Sequence, residues 1–230
     1  MKAKTVLAVV CLASLALATQ STPKLAWNPK VGATLEYAIQ ADSKDSTGMT
    51  VNFKADQVVK CTKVEGGKIT QETRMKNIKI VVNGQDLGDL GDNGDQAVTT
   101  VFASNGELLE AGDDGNPRLI QTLVFLYPTE EAKLGLTWTR EFKGKDAVPA
   151  SKTTFTYAGL EDVSGTKCHK VKVEFKELSG DAPMSVKCTA WLATDTGDMV
   201  KWNGEYKNVV WQEGMPPADA TMKVERKKSA

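Results

Sequence analysis

One histidine, a few cysteines and a run of evenly spaced aspartates are the residues here that could do chemistry. His169 directly follows Cys168, the two side-chain types that a thiolate nucleophile and its base require. The alternating pattern around them is that of a β-strand, in which neighbours point to opposite faces, so these two side chains cannot meet. A catalytic pair would have to use Cys61 or Cys188, and no motif supports either. His169 is therefore read as a core or barrel-mouth histidine. The chain has no Gly-x-Ser-x-Gly elbow, no His-Glu-x-x-His, no phosphate-binding glycine loop and no Cys-x-x-Cys. A zinc site would need mainly carboxylates, which zinc seldom uses. No catalytic residue and no cofactor is expected, and the chain is not read as an enzyme.

Asp86, Asp89, Asp92 and Asp95 recur every third residue in a glycine-rich stretch. Calcium favours several carboxylates on a tightly folded loop, which makes Asp89, Asp92 and Asp95 candidate ligands. Their spacing fits neither the EF-hand nor the nonapeptide calcium repeat, and a solvated turn is the simpler expectation. Glu130-Glu131 and Asp113-Asp114 are adjacent acids. Glycosidase chemistry needs carboxylates facing each other across a sugar, which adjacency does not deliver.

Cys61, Cys168 and Cys188 allow one disulfide and one spare thiol in an oxidising compartment. Strand phase turns Cys61 and Cys188 inward and Cys168 toward the polar face. Proximity favours Cys168–Cys188 and phase favours Cys61–Cys188, and a single bulge would reverse the second argument.

The compartment follows from the first residues. Lys2 and Lys4 precede an uncharged run from Thr5 to Leu17, and Ala16-Leu17-Ala18 offers small residues to a signal peptidase. Residues 1–18 are read as a signal peptide cleaved after Ala18. The run would span roughly 20 Å as a helix, too short for a ~30 Å hydrocarbon core. Cys11 follows Val10 inside the run, where a lipid-modified cysteine does not belong. No other stretch is long and apolar enough to span a membrane, so a periplasmic or extracellular protein is expected. The 29 basic and 29 acidic residues balance, and loss of Lys2 and Lys4 leaves a charge of about −2. That excludes the basic face of a nucleic-acid binder. The terminal cluster Glu225-Arg226-Lys227-Lys228 is read as a frayed, solvated end.

From residue 30 onward the dominant period is two. Val51, Phe53, Ala55, Gln57, Val59 and Cys61 alternate with polar neighbours, as in a strand with one face on a core and one in water. A switch of apolar phase near Met75–Ile78 predicts a bulge or strong curvature. Residues 83–96 read as a loop, and Asn105-Gly106 as a hairpin turn. Asn116 as N-cap and Pro117 as first residue predict one short, largely buried helix carrying Leu119, Ile120, Leu123, Val124, Phe125, Leu126 and Tyr127. Strands resume near residue 136. Trp138, Trp191, Trp202, Trp211, Tyr157 and Tyr206 could line a groove or fill a core. Trp191 lies in the phase opposite Cys188, Ala190 and Leu192, so either chain or ligand must cover it.

These elements predict a mainly β fold: about 10–11 strands in a curved antiparallel sheet, a half-barrel or open barrel. A lone apolar helix cannot stand in water and finds its berth in the concave face. Residues 19–29 are an N-terminal extension and 30–228 a single domain. Gly135-Leu136-Thr137-Trp138, and the strand–turn–strand from Trp191 through Asp195-Thr196-Gly197-Asp198 to Lys201, resemble the half-barrel class of LolA/LolB and LppX, the periplasmic lipoprotein carriers. That class holds acyl chains or lipid-linked cargo between sheet and helix. The resemblance implies a monomeric binder of a lipid or other apolar small molecule, with Leu119, Leu123, Val124, Phe125 and Tyr127 as one wall. A structural or interaction module of the envelope, with the concavity filled, is the alternative.

Overall fold

The structure is a computed structural model that describes residues 24–89, 96–112, 116–145, 148–211 and 216–228. The proposed signal peptide, its cleavage point at Ala18, and Asp92 and Asp95 lie outside the described residues. Only the backbone of Asp89 is described, at the end of a strand.

Among the described residues, twelve antiparallel strands run in the order β1 (Thr34–Asp45), β2 (Thr50–Glu65), β3 (Lys68–Val82), β4 (Gln85–Asp89), β5 (Val98–Ala103), β6 (Leu108–Glu110), then after the helix β7 (Thr137–Phe142), β8 (Ser151–Val163), β9 (Thr166–Glu177), β10 (Ser185–Ala193), β11 (Met199–Val209) and β12 (Ala218–Arg226). The strand missing from the expected eleven is β4. It pairs with β3 inside the stretch read as loop, because Asn83 and Gly84 supply the positive φ of a tight turn.

All strands belong to one sheet with the lateral order β6-β5-β3-β2-β1-β12-β11-β10-β9-β8-β7, β4 hanging from β3. The sheet is not closed. Its outermost strands, β6 and β7, are neighbours in sequence, so the chain between them must pass from one edge to the other. The helix α1 (Pro117–Leu123) belongs to this connection, and Leu119, Phe125, Leu126 and Leu136 pack against the inner-face core.

One face of this sheet builds a single core. Tyr37, Phe155, Tyr157, Val171, Val173, Val186, Trp202, Tyr206, Met222 and Val224 fall in one buried cluster, although they come from β1 and from β8 to β12. Curvature shows where Phe102 of β5 and Leu192 of β10, six strand steps apart in the sheet, line the same space. The alternation that predicted the core is visible in β12, where every second residue from Ala218 to Val224 is buried. Curvature is helped by bulges. The one expected near Met75–Ile78 is present: Asn77, at φ 51°, is an extra β3 residue where Lys54 and Asp56 pair with Lys79 and Lys76.

The helix is shorter than the apolar run predicted. Asn116 caps it by accepting from the backbone N–H groups of Arg118 (3.1 Å) and Leu119 (3.2 Å). It ends at Leu123, and Val124–Tyr127 continue as an extended strap. Tertiary partners claim the strap's backbone: the Tyr127 N–H donates to Asn105 O (2.7 Å), and Leu126 O accepts from Trp138 Nε1 (2.6 Å). Arg118 fastens the helix to the sheet, with two bonds to the buried Glu177 at 2.5 Å and one to Ala182 O.

The disulfide expectation is corrected: Cys61, Cys168 and Cys188 are free buried thiols. Cys188 pairs with Val173 on β9 and Cys168 with Ala193 on β10, several residues apart and on opposite faces. Cys61 sits on β2, with three strands between it and β10 in the sheet. The outer face around Cys168 is also not the polar surface that phase implied. Cys168, Trp191, Ala193 and Val200 form a second small cluster there, with Val163 packed against it. Chain therefore covers Trp191, and the ammonium groups of Lys170 and Lys201 lie 5.5 and 5.8 Å from its ring centre.

Candidate functional site

Between the strap and the inner face of β1, β2, β3, β5 and β10–β12 lies a cavity of about 280 Å³. Strand alternation explains its walls. Tyr37 and Ile39 on β1, Val59 on β2 and Met222 and Val224 on β12 are inward-phase residues, and Phe102 reaches in from β5. Half-buried Gln57, Gln71 and Thr73 add polar groups on β2 and β3.

Of the candidate wall residues, Leu123, Phe125 and Tyr127 line the strap side of the cavity. Leu119 and Val124 are not brought to it. Leu119 packs on the core from the helix, and Val124 is buried on the strap's other side, since an extended segment alternates its faces. Leu123 is 47% exposed and marks the cavity's mouth.

The most informative contributor is the segment before β1. Trp27 stacks on Tyr127 with ring centres 6.0 Å apart and meets Phe102 edge-on at 5.4 Å. Phe125 carries the aromatic row onward to Tyr127 (4.9 Å) and Phe155 (5.1 Å), and Phe155 stacks on Trp138 (5.4 Å). Trp27 is positioned from the β10–β11 turn. Its Nε1 donates to Asp198 Oδ1 (3.0 Å), and the N–H of Asn28 donates to Thr196 O (2.7 Å). Gly197, at φ 77°, lets this segment pass: a Cβ there would lie 2.2 Å from Ala26 O. Leu25 is 1% exposed, so the same segment also plugs the core. Nothing in sequence periodicity marks Leu25 or Trp27, which precede the first strand.

Burial governs the titratable groups nearby. It raises the phenol of Tyr127 well above its ordinary range, the charge of Asp198 adding to the effect, and the same causes raise Tyr37. The Tyr127 hydroxyl donates to Gly197 O (2.8 Å). Burial also raises the Cys61 thiol, helped by Asp198. His169 faces inward, 1% exposed, with Nδ1 3.1 Å from the Tyr157 hydroxyl. Burial lowers its pKa. Neither Cys168 nor Cys188 can serve it, one lying on the other face and the other in a different part of the core. No group of three or more metal-ligating side chains gathers among the described residues.

A wider groove of about 910 Å³ lies by the β8–β9 turn, lined among others by Glu36, Lys201, Glu225, Arg226 and Lys227. Its charges are largely spent on ion pairs, Lys201 with Glu225 (2.6 Å) and Lys227 with Asp56 (2.7 Å). The inner cavity is smaller but has the apolar walls that ligand sites use.

No protein-family model and no curated protein matches the chain. The similar solved structures include the following three. Lipovitellin, studied for its lipid–protein interactions, has a TM-score of 0.48 at 10% identity over 86% of this chain and 25% of its own. The hypothetical lipoprotein YmcC from Escherichia coli has 0.36 at 16% identity, covering 88% of this chain and 90% of that one. A Bacteroides fragilis protein with a YmcC-like fold has 0.39 at 10% identity, covering 89% and 100%. The likeness is one of fold. This chain spans a quarter of the lipovitellin chain, and no residue role passes from any of the three. The resemblance to the LolA/LolB and LppX class has no family model behind it. No helix among the described residues is long and apolar enough to cross a membrane.

Proposed function

We propose that the protein is an exported, non-enzymatic binding module that shelters an apolar ligand between the strap and the curved sheet. The observation that carries this reading is the cavity of about 280 Å³, close to the lower end of the ~300–1,000 Å³ usual for ligand sites. Its aromatic and aliphatic walls suit a hydrocarbon chain, and the exposed Leu123 at its mouth gives a route in. The charged N-terminus and short apolar run at residues 5–17 support export.

Magnitudes limit what the cavity can do. Ten methylenes withdrawn from water gain about 8 kcal/mol at ~0.8 kcal/mol each. Association costs at least ~4 kcal/mol, leaving a dissociation constant on the order of 1 mM for the chain alone. Useful affinity therefore needs a head-group contact.

The test is saturable binding of N-phenyl-1-naphthylamine, read by fluorescence, with displacement by dodecanol. Leu123→Glu at the mouth should weaken both. Absence of saturable binding, together with no lipid in native mass spectra of protein from its own host, would overturn the reading. A filled structural module is the competitor. It is favoured by the tightly packed core beside the cavity, where Phe155, Val171 and Val209 have no exposure.

A further inference from the structure

Among the described residues that line the inner cavity, Asp198 carries the one formal charge; no lysine, arginine or histidine joins it. It is also 7% exposed, which is unusual for an acid. The β10–β11 turn fixes it. Its backbone O accepts from Ala193 N (2.9 Å), its N–H donates to Thr196 Oγ1 (3.2 Å), and Gly197 N closes the turn on Ala193 O (2.8 Å). The carboxylate takes a donor from Trp27 through Oδ1, and the Tyr127 hydroxyl is committed elsewhere, to Gly197 O. Arg226, the cation whose field also reaches Tyr37, donates to Thr166 Oγ1 and does not line the cavity.

A carboxylate at an apolar cavity wall, without a cation beside it, is costly unless a positive group arrives to share the burial. The rings around it are the second half of such a site. Trp27, Tyr37, Tyr127, Phe102 and Trp202 line the same space, and aromatic faces attract cations. A fatty-acid carboxylate placed there would meet Asp198 as a like charge.

Resting on the binding-module reading, we propose that the cavity selects an amphiphile with a cationic head, an alkylammonium whose nitrogen sits against Asp198 and whose chain lies along the strap. Asp198 is then a specificity residue, and its bond to Trp27 holds it in place for that role.

The experiment compares dodecylamine, dodecanol and dodecanoate, each below its aggregation concentration, as displacers of N-phenyl-1-naphthylamine from the purified protein. The expected result is that the amine binds at least about tenfold more tightly than the alcohol, equal to about 1.4 kcal/mol, with dodecanoate weakest. Asp198→Asn, whose amide oxygen can still accept from Trp27, should bring amine and alcohol together. Equal affinity of amine and alcohol for the unaltered protein, or dodecanoate binding tightest, overturns the proposal and leaves the apolar cavity standing. An amine preference that survives Asp198→Asn also overturns it. No displacement by any of the three removes both readings. The series on the unaltered protein decides even if the variant does not fold.

Discussion

Trp27 and Tyr127 lie nearly parallel, with ring planes 10° apart and centres 6.0 Å apart, though a hundred residues separate them. This stack joins two pieces of chain that belong to no strand: the segment before β1 and the strap after the helix. Each is also tied to the sheet independently, Trp27 through Asp198 and Tyr127 through Asn105 and Gly197. The cavity wall thus consists of irregular chain laid over a regular sheet.

Trp27→Ala should lower stability by about 2 kcal/mol, below the range for a fully buried tryptophan because this ring is half-buried. Trp27→Phe keeps a stacking ring and loses the bond to Asp198, for a cost of about 1 kcal/mol. Urea unfolding at unchanged slope measures both. Equal losses for the two variants would mean that the hydrogen bond, and not the stack, holds the segment.

His169 predicts a pH dependence. Burial lowers its folded pKa below the unfolded value of about 6.5. Between those two values the unfolded chain binds the extra proton, so stability is fully present above about pH 6.5 and declines as pH falls toward the folded value. Asp45, Asp56, Asp86 and Glu161, all lowered by hydrogen bonds, act only in a more acidic window. Urea midpoints should therefore fall between pH 7 and pH 5, and His169→Gln should flatten that interval. An unchanged slope in the variant would assign the effect elsewhere.

Much of the sheet is legible in alternation alone, because a residue facing a core and its neighbour facing water differ in polarity. The runs Val51–Cys61 and Met184–Leu192 show it, and the phase slip at Met75–Ile78 locates the bulge at Asn77. The helix start is legible too, since Asn116 and Pro117 carry their own capping chemistry. Its end is not: apolar periodicity cannot separate a helix from an extended strap whose backbone bonds go to Asn105 and Trp138. Alternation also gives parity without saying what covers each face, which is why Cys168 reads as surface and is buried beside Trp191 and Val200. Trp27 is illegible for a different reason, its partner Asp198 being 171 residues away.

Cys61, Cys168 and Cys188 should behave as protected thiols. Burial pushes Cys168 up to about 11 and raises Cys61 and Cys188 as well, so each lacks both access and thiolate. In the chain without residues 1–18, and so without Cys11, Ellman's reagent should modify three thiols in denaturant, and the native protein at least about a hundredfold more slowly, since reaction must await opening. Thermal midpoints with and without reductant should agree. Fewer than three thiols in denatured, unreduced protein would instead reveal a disulfide.

Gly106 offers the sharpest test of the strap. Its φ is +87°, and a Cβ there would fall 2.0 Å from Phe125 O and 3.0 Å from the Tyr127 ring. Gly135 has almost the same backbone, φ +83°, with nothing within 4 Å of an added Cβ. Alanine at either position meets the left-handed penalty of roughly 1–2 kcal/mol. Only at Gly106 must the strap also move, breaking the Tyr127 N–H bond to Asn105 O and parting Tyr127 from Trp27. Gly106→Ala should thus cost about 2 kcal/mol more than Gly135→Ala, within the range for overpacking. It should also weaken N-phenyl-1-naphthylamine binding several-fold, while Gly135→Ala leaves binding unchanged. Equal stability and equal binding in the two variants would show that the strap yields freely, and the cavity wall would then owe nothing to the seat that Gly106 provides.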